Sequence, residues 1–375
     1  MARYHHAPLA LLLPLAAALT GCTDPAETTT TTTTDDGPEG LAILGGYTHD
    51  LAELEVTVVA DAADGVDRPR DLAFNPDAPE QLWILNNADH SALIVSNPGE
   101  ADQEVLRKWD AYGVHFLAKP AALAFGASGT LATAHEEDDY TQGTATPKDF
   151  MGPTLWTSDV DDFDAGHTGH LDMLHNSPNA VGIAWERDNV YWVFDGYHAS
   201  ITRYDFQDDH DLGGTDHTDG VIDRYVEGEV SYVEGVSSHM VFHEGTGWLF
   251  IADSGNGRIA ALDTRTGERG SRLTPNYDGG DQYHVDGGEI WTVVDGSEHN
   301  VYQPSGLALR DNVLYTTDAS TGIIVAFNLD GMLLDWLDTG LPADALQGID
   351  FDEAGNLYVV DAEGDEIWRI SAPAE

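Results

Sequence analysis

Cysteine occurs once in the 375-residue sequence, at Cys22, which excludes an internal disulfide framework, a Cys-rich zinc site and an iron–sulfur cluster. Basic residues are scarce. Lys and Arg total 16 against 66 Asp and Glu, a formal charge of −50, and the only lysines are Lys108, Lys119 and Lys148. Nucleic acid needs a basic face for its phosphates and is excluded as a partner. An anionic bilayer is equally disfavoured as an electrostatic docking surface. A carboxylate surface with almost no lysine suits a salty medium, where screening weakens self-repulsion. Long apolar runs are missing too, and no stretch after the N-terminal one reaches transmembrane length. The sequence has no Gly-x-Ser-x-Gly elbow, P-loop, haem-attachment motif or dinucleotide fingerprint. What is there is 42% apolar and carries 39 glycines, enough for a sizeable core built of short elements.

The N-terminus reads as an export signal. Arg3 precedes an apolar run from Ala7 to Leu19, broken only by Pro8 and Pro14, with the length of a signal h-region. It ends in Leu19-Thr20-Gly21-Cys22, which resembles a bacterial lipobox, and the protein's single Cys stands at the lipidation position. The resemblance implies a mature chain that starts at Cys22, is anchored to a membrane by lipid, and lies outside the cytoplasm at the outer membrane or cell surface. Residues 23–40 are Thr-rich, with an unbroken Thr run over 28–34, and hold no apolar period. Such a segment cannot bury a core and is expected to be a disordered tether. The expected organisation is a signal peptide over 1–21, a tether over 22–50 and a folded body over 51–375.

The body repeats. Six segments share an apolar triplet after a small or polar pair, then a second apolar strand that mostly ends in Asp or Asn. They cover 69–74 with 82–86, 120–125 with 131–135, 178–183 with 191–195, 238–242 with 249–253, 304–309 with 314–318, and 347–351 with 357–361. In the last four, Asp195, Asp253, Asp318 and Asp361 are each followed six residues later by Ile. A constant spacing of that kind fits a hairpin of fixed length, with the Asp as its turn residue. Repeats of this size, with short strands and no helical period, predict an all-β, six-bladed β-propeller. The last repeat supplies three strands and a blade needs four. The orphan strand over 55–59 is expected to complete it and close the ring, which removes an exposed edge.

The pattern resembles NHL repeats over nearly all of residues 65–371. It is also distantly similar to the peptidyl-amidoglycolate lyases, propellers of this kind that hold zinc with three His in Pro-His-x-Leu contexts on alternate blades. Only His239 matches that triad. Ala121 and Gln347 stand at the other two places, so the lyase zinc site is absent. Asp195-Gly196-Tyr197-His198 is like the lyase segment that carries its catalytic Tyr, which makes Tyr197 the candidate catalytic residue. Ser254 and Glu136 stand where the lyases have essential Arg residues.

The residue opening each inner strand is expected at the channel mouth. Arg70, Asn179, Ser305 and Gln347 are the candidate binding residues there. Nine of the 16 His fall between positions 135 and 243, in clusters that include His167, His170 and His175, then His210 and His217 in an acidic Gly-rich insertion over 208–220. Imidazole with carboxylate suits a divalent metal: Zn, Mn or Fe, or Ca where carboxylates dominate. His175, His198, His217 and His239 are expected to converge near one rim, with Tyr197 beside them. Three readings of function compete. One is a lipid-tethered binding module for a peptide, glycan or envelope protein. The second is a metal-dependent hydrolase or lyase using the His-rich region of blades two to four. The third is a structural surface protein. The binding module is favoured, because no full catalytic set can be assembled from motifs.

Overall fold

A strand that is apolar on both faces has to be covered on both. The second strand of each repeat is of this kind, and Val190–Asp195 and Leu357–Asp361 are buried along their whole length. The computed structural model describes residues 40–109, 115–138, 150–163 and 169–373. The export signal with Cys22, most of the Thr-rich segment and His167 lie outside the described residues. Six sheets supply the cover, each packed between two neighbours, and their inner strands touch in a closed ring. The protein is a six-bladed β-propeller. Large side chains such as Trp83, Trp192, Phe250 and Tyr358 are fully buried in the core. No helix among the described residues is long and apolar enough to cross a membrane.

The repeat spacing works as expected. Each Ile of the Asp-to-Ile pairs lies opposite the residue before the Asp: Phe194 faces Ile201, Ala252 faces Ile259, Thr317 faces Ile324 and Val360 faces Ile367. The Asp carboxylates accept backbone N–H bonds in or beside the turns, from His198 to Asp195 at 2.9 Å, Thr321 to Asp318 at 2.9 Å and Gly364 to Asp361 at 2.8 Å. Asp253 accepts instead from Ser231, at 2.8 Å, and so ties the turn to the incoming connection.

Ring closure is made by the N-terminal strand Glu55–Ala60, which pairs antiparallel with Glu366–Ser371 as the outermost strand of the sixth blade. Val59 and Ala60 enter the core beside Tyr358 and Val360, whereas Val56 and Val58 stay exposed on the outer face.

Two features depart from the expected organisation. Residues 40–50, placed in the tether by composition, pack on the fifth blade. Leu44 is 0% exposed in its core, the Leu41 N–H donates to Asp335 at 2.6 Å, and His49 stacks on Trp336 at 4.1 Å. The few apolar residues of that stretch are enough to seat it. The second departure is in blade four, whose third strand Arg258–Asp263 does not turn directly into its fourth, Glu289–Asp295. The chain first makes a hairpin, Glu268–Arg272 with Asp281–Asp286, that adds to blade three and extends it to six strands. A bidentate pair from Arg269 to Asp223, at 2.7 and 2.8 Å, fixes the graft.

Candidate functional site

At the start of the inner strands the axial channel opens into a cavity of about 740 Å³. Its floor is a stretch of chain rather than open space. The connection from blade three to blade four runs across the axis before it enters the strand Met240–His243. Ser237, 0% exposed, bonds with its hydroxyl to the carbonyls of Arg70 and Ala121 at 3.4 Å and accepts from Arg70 Nε at 3.3 Å. Its N–H donates to Gln347 Oε1 at 2.9 Å. Gly182 permits the crossing, because a Cβ there would overlap the Ser238 carbonyl.

Arg70 and Asn179 line the mouth cavity. The Arg70 guanidinium is 6% exposed and donates from Nη1 to Glu136 at 2.8 Å, while Nη2 is enclosed with no protein partner. Glu136 is itself fixed by the Gly235 N–H at 2.7 Å. Lys119, Tyr232 and Glu234 complete a wall of mixed charge. Ser305 and Gln347 lie below this wall. Both are buried, Ser305 bonded to the Leu346 carbonyl at 2.8 Å and Gln347 spent on Ser237. Their side chains act in the floor.

Further along the inner strands is a second cavity, of about 330 Å³, lined in part by Asp71, His239 and Asp350. Burial pushes the Asp350 carboxyl up to about 6 and Asp71 well above the usual carboxylate range. Burial also holds His239 down to about 4. His239 Nε2 donates to the Ala121 carbonyl at 3.2 Å, which leaves Nδ1 as an acceptor 3.3 Å from Asp71. Both Asp71 oxygens accept backbone N–H bonds, from Leu72 and Leu123 at 2.8 Å, which partners the buried carboxyl.

The histidine-rich region forms a third cavity, of about 520 Å³, away from the mouth. Its walls come from the outermost strand of blade two, His170–Met173, from the insertion of blade three and from the grafted hairpin. His175 and His217 both line it, and the hairpin delivers Asp278 to them. His175 is bonded twice to the Asp278 carboxylate, through its backbone N–H and Nδ1, both at 2.7 Å, while its Nε2 is enclosed without a partner. His217 Nδ1 lies 2.6 Å from Asp172, whose side chain is 0% exposed. Burial lifts the Asp172 carboxyl. Against the desolvation that opposes it, the hydrogen bond and charge of Asp172 raise His217.

The structure therefore places His175 and His217 together and puts His239 in a different cavity. His198 pairs with Asp195 at 2.8 Å in a turn of blade three, and Tyr197 beside it is 49% exposed. Sequence reasoning passed over Asp172, Asp278 and, as a ligand, His210. Asp172 sits in a strand too short for a repeat signal, and Asp278 reaches the cavity only because a hairpin leaves its own blade.

No family model and no curated protein matches this sequence. Solved structures do. An auxiliary nutrient binding protein from Bacteroides ovatus is 15% identical, with a TM-score of 0.56 over 86% of this chain and 77% of that one. A luciferin-regenerating enzyme is 11% identical, with a TM-score of 0.53 over 85% and 95%. A catalytically inactive virginiamycin B lyase from Staphylococcus aureus with quinupristin is 12% identical, with a TM-score of 0.52 over 85% and 99%. The likeness is one of fold. The three named proteins do different things on it, so the function of this chain has to be argued from its own cavities.

Proposed function

We propose that this protein is a lipid-anchored, NHL-type propeller at the bacterial cell envelope that binds a polar ligand, a short peptide or a glycan, in the Arg70 mouth cavity. One observation carries the reading. Arg70 is buried and fully oriented, yet one arm of its fork has no protein partner. A guanidinium held in this way is pre-organised for an oxygen acceptor, and a buried donor left unmade costs free energy. The carboxylates of Glu136, Glu137 and Glu234 around the same cavity suit hydroxyl or amine groups on the rest of the ligand. The name of the Bacteroides ovatus neighbour, an auxiliary nutrient binding protein, fits this reading, as does the predicted lipobox.

The test is a panel of di- and tripeptides and oligosaccharides titrated into the wild type and Arg70→Lys. Lysine keeps the charge facing Glu136 and removes the second arm of the fork. The best binder of the panel is expected to lose about tenfold or more in affinity, the scale of one charge-assisted hydrogen bond. Equal binding by the two proteins, or no binder in either class, contradicts the assignment. The anchor is tested separately. Cys22→Ala is expected to leave the protein unprocessed or to release it from membranes, and a variant that is still cleaved and still partitions with lipid contradicts the lipobox.

A further inference from the structure

Beside the third cavity, one atom each of Asp172, His210 and His217 lie within 4.8 Å of one another, the one such trio of potential metal ligands among the described residues. Two of the three residues carry acceptors with nothing to accept. His210 Nδ1 is 2.7 Å from the Asp211 carbonyl, so it carries the proton and Nε2 carries the lone pair. That Nε2 is enclosed and has no partner. Asp172 Oδ1 is satisfied by the Met173 N–H at 2.6 Å and by His217, while Oδ2 is enclosed and has no partner. A buried carboxylate oxygen and an imidazole lone pair left without donors, on residues whose ligand atoms cluster within 4.8 Å, are groups that a bound cation would satisfy. The loop is shaped for this. At Gly214 a Cβ would overlap the His210 carbonyl and ring, so only glycine lets the insertion fold back far enough to bring His210 and His217 together.

We propose that Asp172, His210 and His217 bind one divalent transition-metal ion of the zinc class. Two imidazoles and one carboxylate suit Zn²⁺, whereas Ca²⁺ takes six to eight oxygens. In a tetrahedral site with bonds near 2.0–2.1 Å the donors stand about 3.4 Å apart, so small side-chain rotations close the trio. Three protein ligands would leave one position of a tetrahedral ion for water, and His217 also forms part of the wall of the 520 Å³ cavity. The site lies away from the channel axis and does not depend on the mouth cavity binding anything.

The experiment is equilibrium binding of Zn²⁺, and of Co²⁺ as a spectroscopic reporter, to the full chain after chelator treatment. High salt and excess Ca²⁺ occupy the acidic surface. The wild type is expected to take up one equivalent and to give a visible Co²⁺ spectrum of low-symmetry coordination. His210→Gln and His217→Gln are expected to weaken binding by more than about 100-fold, since even outer-shell partners of a metal cost 10–100-fold. His175→Gln, which keeps all three ligands, is expected to bind like the wild type. Circular dichroism shows whether each variant is folded. Absence of a saturable equivalent in the wild type overturns the proposal, as does unchanged binding in both folded ligand variants or a loss in His175→Gln as large as theirs.

Discussion

A chain that begins at Asp61 will not fold, and one that begins at Glu55 will melt on the order of 10 °C below one that begins at Gly40. Removing residues 55–60 strips Val59 and Ala60 from the core and bares the Glu366–Ser371 edge, which invites aggregation. It also opens the ring, so the first and sixth blades lose the shared element that holds their contact. Starting at Glu55 keeps the closing strand but loses Leu44, Leu54, the Leu41–Asp335 bond and the His49–Trp336 stack. Each buried Leu is worth about 2–5 kcal/mol, a large part of the total for a protein of ordinary stability. A chain that starts at Gly40 keeps all of these groups and is expected to melt like the full chain. Calorimetry of the three truncations checks the order. Equal melting of the Gly40 and Asp61 chains would contradict the shared sixth blade.

Acidification is expected to separate two variants in opposite directions. His239 is held down to about 4 by burial, whereas an unfolded His titrates near ~6.5. The folded protein therefore stays neutral at this site while the unfolded chain takes a proton. Stability is lost as pH falls from about 6.5 toward 4, by on the order of 3 kcal/mol. His135, which burial holds down to about 3 against the opposing pull of the Ala118 carbonyl, adds in the same sense. Asp350, pushed up to about 6, acts the other way, because the native state protonates first and gains stability as pH falls from about 6 toward 4. His239→Gln keeps an N–H for the Ala121 carbonyl and removes the acid-labile group. Asp350→Asn keeps an acceptor for the Phe74 N–H and removes the compensating one. Relative to their own stability at neutral pH, the first is expected to resist acid better than the wild type by about 2–3 kcal/mol near pH 4.5 and the second to resist it worse. Urea midpoints at the two pH values measure this. Parallel pH curves for all three proteins would mean that these groups titrate normally.

The fold was legible because a propeller repeats one local rule. Hairpins of fixed length put Asp195, Asp253, Asp318 and Asp361 at the same place in each blade, and a missing fourth strand pointed to 55–59. Arg70 and Asn179 were legible for the same reason, as openings of inner strands. The rest depends on chain that leaves the repeat. The connection through Ser237 fills the axis, so His239 lines a cavity separate from the mouth and Ser305 and Gln347 sit in the floor below the mouth. The grafted hairpin carries Asp278 from blade four to His175, a pairing across 103 positions that no local pattern marks. Residues 40–50 have the composition of a linker and are held by the buried Leu44, the half-buried Leu41 and Ile43, the His49–Trp336 stack and a few polar contacts.

The central claim is that the mouth cavity, and no other, receives the ligand. Hydrogen–deuterium exchange of the full chain, with and without a saturating amount of the best binder from the peptide and oligosaccharide panel, tests it most directly. The account predicts slowed exchange at residues 68–72, 119–123 and 232–237, which frame Arg70, Lys119 and the floor, with no change around His175 and Asp278. Protection confined to residues 170–175, 210–218 and 275–282 would contradict it and move the binding site to the histidine-lined cavity.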